Sequence, residues 1–226
     1  MPHTTPQGWV DDPAYASISF FWGGEYLGGG LWGKSDADAR ECLTWRVVVR
    51  MHATSMRTYL RNRVPGGTYF FTVNLAERKG NTLLIDHMDA LRHAVRATRA
   101  ARPFEIIAMV VLPEHLHAIW RLPEGDDDYS TRWRLLKGRF SHAVCGDERR
   151  SPSRIRKSER GIWQRRYWEH TIRDEHDLRM HIDYTHYNPV RHGLCDTPLH
   201  WPHSTFHRYA RKGWLPEDWA GHSLDQ

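Results

Sequence analysis

Between Val110 and Trp120 an apolar run is broken by Pro113-Glu114 and resumes at once as His115-Leu116-His117-Ala118-Ile119-Trp120. No other stretch limits the fold as tightly. Two extended segments joined by a turn too short for a crossover can only fold back as an antiparallel hairpin. Side chains alternate between the faces of a strand, so His115 and His117 share one face. Two imidazoles on one face can hold a metal ion between them. The same spacing is also that of two solvated histidines on an edge strand, and the pair alone does not decide between these readings.

The segments around the hairpin follow its periodicity. Thr68-Tyr69-Phe70-Phe71-Thr72-Val73-Asn74-Leu75, introduced by Pro65-Gly66-Gly67, is a β-branched and aromatic run and is expected to be the first strand. Asp86 is expected to cap a helix reaching about Ala101, with Met88, Leu91, Val95 and Thr98 on its core stripe and Arg92, Arg96 and Arg99 toward solvent. Phe104 to Leu112 and His115 to Leu122 are the hairpin strands. A second helix is expected from Tyr129 to Cys145, with Trp133, Leu136, Phe140 and Ala143 facing inward and Arg132, Lys137 and Arg139 off that stripe. After a charged loop from Gly146 to Gly161, Tyr167 to Arg173 reads as a fourth strand. Asp174 then caps a third helix, stopped by Pro189. The order β-α-β-β-α-β is that of an α+β, ferredoxin-like antiparallel sheet with two helices on one face and an added third helix.

Residues 1–55 differ from the rest. Phe20-Phe21-Trp22-Gly23-Gly24 and Gly28-Gly29-Gly30-Leu31-Trp32-Gly33 show no sustained periodicity, although Thr44 to Val49 has the composition of a short strand. This segment reads as a poorly structured extension, an accessory subdomain being the other reading, ahead of a domain spanning residues 56–226. It carries four Lys/Arg against six Asp/Glu, and the remainder 28 against 21. The domain is therefore basic, as expected of a protein with a polyanionic partner. Met51 and Met56 could each serve as a start, which would make the preceding segment no part of the natural product.

Cys42, Cys145 and Cys195 are far apart and form no CxxC pair, which argues against a disulfide framework and for a reducing compartment. The first residues lack the pattern of a secretory signal, and no apolar run approaches the roughly 18 residues of a membrane helix. The expected location is the cytoplasm.

A second stretch, His181-Ile182-Asp183-Tyr184-Thr185-His186-Tyr187-Asn188-Pro189, bears on the chemistry. On a helix Tyr184 and Asn188 are neighbours on one face. A tyrosine phenol, with an unperturbed pKa near about 10, is a usable nucleophile only where its oxygen is favoured and its target polarised. A metal on His115 and His117 could polarise a phosphodiester, and the Asn188 carboxamide would favour Mg²⁺ or Mn²⁺. Tyr184 is equally explicable as a tyrosine packed on the sheet, and Asn188 as a helix C-terminal residue.

From Met56 to Gly221 the sequence resembles the REP-associated tyrosine transposases, relatives of the single-tyrosine insertion-sequence transposases. Five pieces in order carry the resemblance: Gly67 to Leu75, Val111-Leu112-Pro113-Glu114-His115-Leu116-His117, Trp163-Gln164-Arg165-Arg166-Tyr167-Trp168-Glu169-His170, Asp183 to Val190, and Trp201-Pro202-His203-Ser204-Thr205-Phe206-His207-Arg208. Each is weak alone; together they are specific. The resemblance implies a His-hydrophobe-His endonuclease in which the residue matching Tyr184 attacks single-stranded DNA, forming a 5′-phosphotyrosine and freeing a 3′-hydroxyl. His115 and His117 match the metal pair, Asn188 matches a third polar ligand, and Tyr187 is the rival nucleophile. The implied substrate is an imperfect palindromic hairpin with a single-stranded flank, bound by a monomer or homodimer. Arg132, Lys137, Arg165 and Arg166 are the basic side chains expected to meet phosphates. The alternative is a hairpin-binding protein whose nuclease has lapsed. The sequence departs from the family in its loop from Gly146 to Gly161, longer than expected, and in residues 1–55, which have no counterpart there.

Overall fold

In the computed structural model, which describes residues 61–144, 152–157 and 160–219, the aromatic run after Pro65 divides cleanly between two faces of a sheet. Strand β1 (Thr68–Asn74) is entered through a tight turn. Gly67 is required there because a Cβ would come within 2.7 Å of the Val64 carbonyl oxygen and 2.9 Å of the Tyr69 hydroxyl. Tyr69, Phe71, Val73 and Leu75 point into one core, and Phe70 into another.

Two helices follow, α1 (Leu83–Asp86) and α2 (Met88–Ala101). The expected capping of α2 by Asp86 is corrected: Asp86 ends α1, where its carboxylate accepts from the Thr82 hydroxyl at 2.6 Å, and His87 is the N-cap of α2. Arg92 is also not on the solvent side. It is buried and donates to Asp89 at 2.9 Å.

Strands β2 (Glu105–Val111) and β3 (His115–Arg121) form the hairpin around Pro113-Glu114. The sheet order is β2-β3-β1-β4, with every neighbouring pair antiparallel. Helix α3 (Tyr129–Ala143) packs beside α2, and Leu116, Ala118 and Trp120 of β3 share their core with both helices. Trp120 stacks on Trp133 with ring centroids 4.0 Å apart. Burying a ring of that size removes about 150–250 Å² from water, worth roughly 4–6 kcal/mol.

Helix α4 (Pro152–Arg156) lies in the charged loop, and β4 (Trp168–Thr171) is shorter than its aromatic run suggested. Helix α5 (Glu175–Arg191) crosses the opposite face of the sheet against β2 and β3, so the three-helix expectation resolves into two helices below the sheet and one above. Asp174 caps α5 as its position predicted, accepting from the Asp177 N–H. Pro189 does not stop it. A proline in the last turn removes only one backbone donor, and α5 continues to Arg191. The stop is Gly193, at a φ of +66°, with Gly193 N–H bonded to the Val190 carbonyl and Leu194 N–H to that of Pro189.

A short 3-10 turn (Pro198–His200) and α6 (Phe206–Arg211) close the described chain. Ser204 bridges to Val110, so the tail lies along the outer edge of β2. A bulge between Ile106 and Ala108 turns the Ile107 carbonyl outward, where it accepts from Arg208 and from the Tyr209 hydroxyl. None of the described helices is long and apolar enough to cross a membrane. Residues 1–55, with the expected strand from Thr44 to Val49, and Cys145 at the expected end of α3 lie outside the described residues.

Candidate active site

Because β3 alternates, sinking Leu116, Ala118 and Trp120 into the lower core obliges His115 and His117 to face α5. Their rings lie nearly perpendicular, with centroids 4.9 Å apart, and both side chains are buried. Each ring is fixed through Nδ1. That of His117 is 2.9 Å from the hydroxyl of Thr72, its cross-strand partner, and that of His115 is 3.1 Å from a Glu114 carboxylate oxygen. Arg78 holds the same oxygen at 3.0 Å. With Nδ1 so engaged, the Nε2 lone pair is the one left for a ligand.

The electrostatics keep both rings neutral. Burial lowers the pKa of His115 to about 4 against the opposing pull of Glu114, and burial, with the neighbouring His115 and His192, holds His117 well below the ordinary histidine value. Burial alone would raise the Glu114 carboxyl, but Arg78 and His115 outweigh it and hold the group below its usual range. A neutral imidazole beside a carboxylate is the form that ligates a metal.

Helix α5 brings the other groups over this pair. The Tyr184 ring meets His117 edge-on at 5.2 Å and Phe70 at 5.8 Å, while Phe70 stacks on His117 at 5.4 Å. Phe70 is thus the wedge that spaces the tyrosine helix from the strand. One turn beyond Tyr184, Asn188 is completely buried and leans on His117, a contact that favours the charged imidazole. Even so, neither Asn188 Oδ1 nor Nδ2, nor His117 Nε2, makes a hydrogen bond of ordinary geometry among the described residues. Buried polar atoms left in this state cost about 1–3 kcal/mol each. A cation between Asn188 Oδ1 and His117 Nε2 would relieve that cost at those two atoms, so the donor set of two imidazoles and a carboxamide oxygen fits a divalent ion.

Tyr187 stands apart, half-buried, its ring 6.5 Å from that of Trp219. The structure therefore gathers His115, His117, Tyr184 and Asn188 and leaves Tyr187 outside. Two further side chains belong to the rim. The Arg191 guanidinium lies 5.8 Å from the Tyr184 ring centroid, and the His192 ring is 5.2 Å from that of His115. Sequence reasoning overlooked Thr72, Glu114, Arg191 and His192. The helical spacing of 184, 188 and 192 and the strand alternation of Thr72 against His117 were the available signals.

The basic side chains divide. Arg132 is corrected: it is buried, bonded through Nη2 to Asp126 at 2.6 Å and to the Pro103 carbonyl at 2.7 Å, and so is a core tie with no guanidinium to offer a phosphate. Lys137 is half-buried, donates to the Gln164 carbonyl at 3.0 Å and lies over the rings of Trp163 and Tyr167. Arg165 and Arg166 are exposed, Arg165 with a bond to the Ser153 hydroxyl.

No family model matches the chain. Individual relatives do. A REP-associated tyrosine transposase of Escherichia coli (strain K12) is 49% identical over 170 residues, which cover 75% of this chain and 94% of the relative. A Haemophilus influenzae protein provisionally given the same name is 42% identical over 167 residues, covering 74% of this chain and 94% of its own. Among solved structures, a REP-associated tyrosine transposase bound to a REP hairpin superposes with a TM-score of 0.65 at 48% identity, covering 76% of this chain and 95% of that one. On that identity and coverage, the chain belongs to the REP-associated tyrosine transposase family.

Proposed function

We propose that this chain is a transposase-type nuclease that nicks and rejoins single-stranded DNA at palindromic hairpins, with Tyr184 as nucleophile and a divalent ion, Mg²⁺ or Mn²⁺, held by His115, His117 and Asn188. One observation carries the reading. A phenol, two neutral imidazoles and a buried carboxamide that leans on one of them converge where α5 crosses β3. The ion, when bound, supplies Lewis-acid polarisation of a phosphodiester oxygen.

The residues of the chain do the rest. The Tyr184 oxygen attacks phosphorus while the bond from phosphorus to the 3′-oxygen breaks. The phenolic proton is released to solvent and the departing 3′-oxygen takes one up, leaving a 5′-phosphotyrosine and a 3′-hydroxyl. The Arg191 guanidinium, 5.8 Å from the Tyr184 ring centroid, puts a positive charge beside the reacting phosphodiester. Because one phosphodiester has been exchanged for another, a 3′-hydroxyl can attack the phosphotyrosine and rejoin strands without ATP. Glu114, an acceptor only, holds His115 in the tautomer that presents Nε2, and Thr72 fixes the orientation of the His117 ring. Exposed Arg165 and Arg166 meet phosphates of the hairpin. The hairpin bound in the solved relative supports this substrate class, and a DNA substrate accords with a cytoplasmic protein working at the nucleoid.

The test is a covalent adduct. Wild-type protein, incubated with a flanked single-stranded hairpin and Mn²⁺, is expected to give a protein–DNA species that survives denaturing electrophoresis. Tyr184→Phe should lose it while keeping hairpin affinity within a few-fold, and Tyr187→Phe should retain it. An adduct lost only in Tyr187→Phe would move the nucleophile, and full cleavage in EDTA would remove the ion from the reading.

A further inference from the structure

Behind Phe70, on the side away from His117, lies a second group of donors. His170 on β4 is the cross-strand partner of Phe70 and so faces α5. Asp177 sits in the first turn of α5 and His181 one turn later, three residues before Tyr184. One ligand atom from each of the three lies within 4.8 Å of the others. His170 Nε2 is 2.8 Å from Asp177 Oδ2, and His181 Nδ1 is 3.1 Å from Asp177 Oδ1. The two rings are stacked nearly parallel with centroids 4.7 Å apart.

From this geometry we infer a second divalent-cation site at His170, Asp177 and His181, separate from the pair on β3 and independent of its assignment. Two ligand atoms each about 2.1 Å from one ion are separated by roughly 3.0–3.4 Å at octahedral or tetrahedral angles. The two ring-to-carboxylate separations, which go to different oxygens of Asp177, are within a few tenths of an ångström of that, and the two ring nitrogens, within 4.8 Å of each other, draw together as an ion is seated. In the metal-free chain the ring N–H groups donate into the space the ion would take, His181 Nδ1 also reaching the Asp177 carbonyl at 2.8 Å. Loading therefore requires each neutral ring to carry its proton on the other nitrogen, away from the ion. Arg173 leans on Asp177 Oδ2 at 3.3 Å, but its side chain is 75% exposed and free to swing aside. His170, at 27% exposure, opens the cluster to solvent on one side, leaving a position for water. Two imidazoles and one carboxylate select a transition ion such as Zn²⁺ over Mg²⁺.

An ion here would not touch the reacting atoms. Its effect would run through Phe70, whose ring lies 4.8 Å from that of His181 and 5.8 Å from that of Tyr184. It would pin the first turns of the tyrosine helix to β4 and so set where Tyr184 stands.

The experiment isolates this site by deleting the other. Full-length protein carrying His115→Ala and His117→Ala, stripped of metal, is dialysed against Zn²⁺ and its bound metal counted. One ion per chain is expected, with a rise in melting temperature on loading. Adding Asp177→Asn or His170→Gln should weaken binding at least tenfold and remove the rise. The unsubstituted chain should count two, and His170→Gln alone one. No stoichiometric Zn²⁺ in the doubly substituted chain, or binding indifferent to both Asp177→Asn and His170→Gln, overturns the inference. If the doubly substituted chain fails to fold, the comparison of wild type with His170→Gln decides in the same way.

Discussion

Replacing Asn188 with leucine is expected to make the metal-free protein more stable and the enzyme inactive. Asn188 is completely buried, and beyond its contact with His117 neither atom of its carboxamide makes a hydrogen bond of ordinary geometry among the described residues. Each such atom carries a desolvation cost of about 1–3 kcal/mol. Leucine has the branched skeleton of asparagine and no polar atoms, so the substitution recovers that cost less the strain, about 1–3 kcal/mol, of fitting two methyl groups bulkier than the amide oxygen and nitrogen. Partial relief from the His117 contact sets the net gain at roughly 2 kcal/mol. For a domain of this size, 1 kcal/mol moves the melting temperature by about 2–4 °C, so the expected rise is about 4–8 °C. The assay is thermal denaturation in EDTA, followed by Mn²⁺ affinity and adduct formation on the same preparation. The expected pattern is a higher melting temperature, with Mn²⁺ affinity and the adduct both lost. A lower melting temperature in EDTA would show that the carboxamide is already well bonded, and the reasoning from its unpartnered atoms would fail.

The supporting carboxylate gives a second expectation: Glu114→Gln should weaken Mn²⁺ binding by about 10–100-fold with the fold intact, because the His115 tautomer is no longer enforced, and unchanged affinity would dismiss the role. Arg132→Ala should cost about 3 kcal/mol of stability by leaving Asp126 and the Pro103 carbonyl unanswered, whereas Arg165→Ala with Arg166→Ala should leave stability alone and lower both hairpin affinity and its salt slope; urea denaturation and binding at matched salt separate the two. Stability should fall on acidification from pH 6.5 toward 4. His115 and His203, near 4, and His186, near 3, stay unprotonated in the fold while the unfolded chain takes up protons, each contributing up to about 1.4 kcal/mol per pH unit. Asp183, raised to about 6 by burial, holds a proton in the fold and offsets about one of them, so a flat profile across this window would contradict the assigned burial.

Strand alternation was the most legible part of the sequence. It fixed which residues of β1 and β3 face each core, and with them the orientation of His115 and His117. Helical spacing placed Asn188 over the same face as Tyr184. Arg132 shows where pattern reading fails. A stripe count sorts side chains by polarity, yet a guanidinium is readily buried when a carboxylate and carbonyls surround it. The acidic run Asp126-Asp127-Asp128 just before the helix was the signal for that pairing. Pro189 misled in a different way, since a proline near a helix end looks like a stop but only the left-handed residue Gly193 provides one. The cluster of His170, Asp177 and His181 was hidden because one member lies on a strand and two on a helix, and only the cross-strand register of β1 with β4 brings them together.

The tail along β2 has a consequence for assembly. An edge strand ordinarily offers its outward amides and carbonyls to any other chain that can add a strand. Here the Ile107 carbonyl is taken by Arg208 and Tyr209, and Met109 by Thr205 through both N–H and carbonyl. The Val111 N–H goes to the His203 carbonyl, and the Val111 carbonyl to the Trp201 indole. At the other margin β4 is four residues long. Among the described residues, a second copy of this protein therefore finds little open backbone on the β2 side to extend the sheet, and the short β4 edge is the margin left for that.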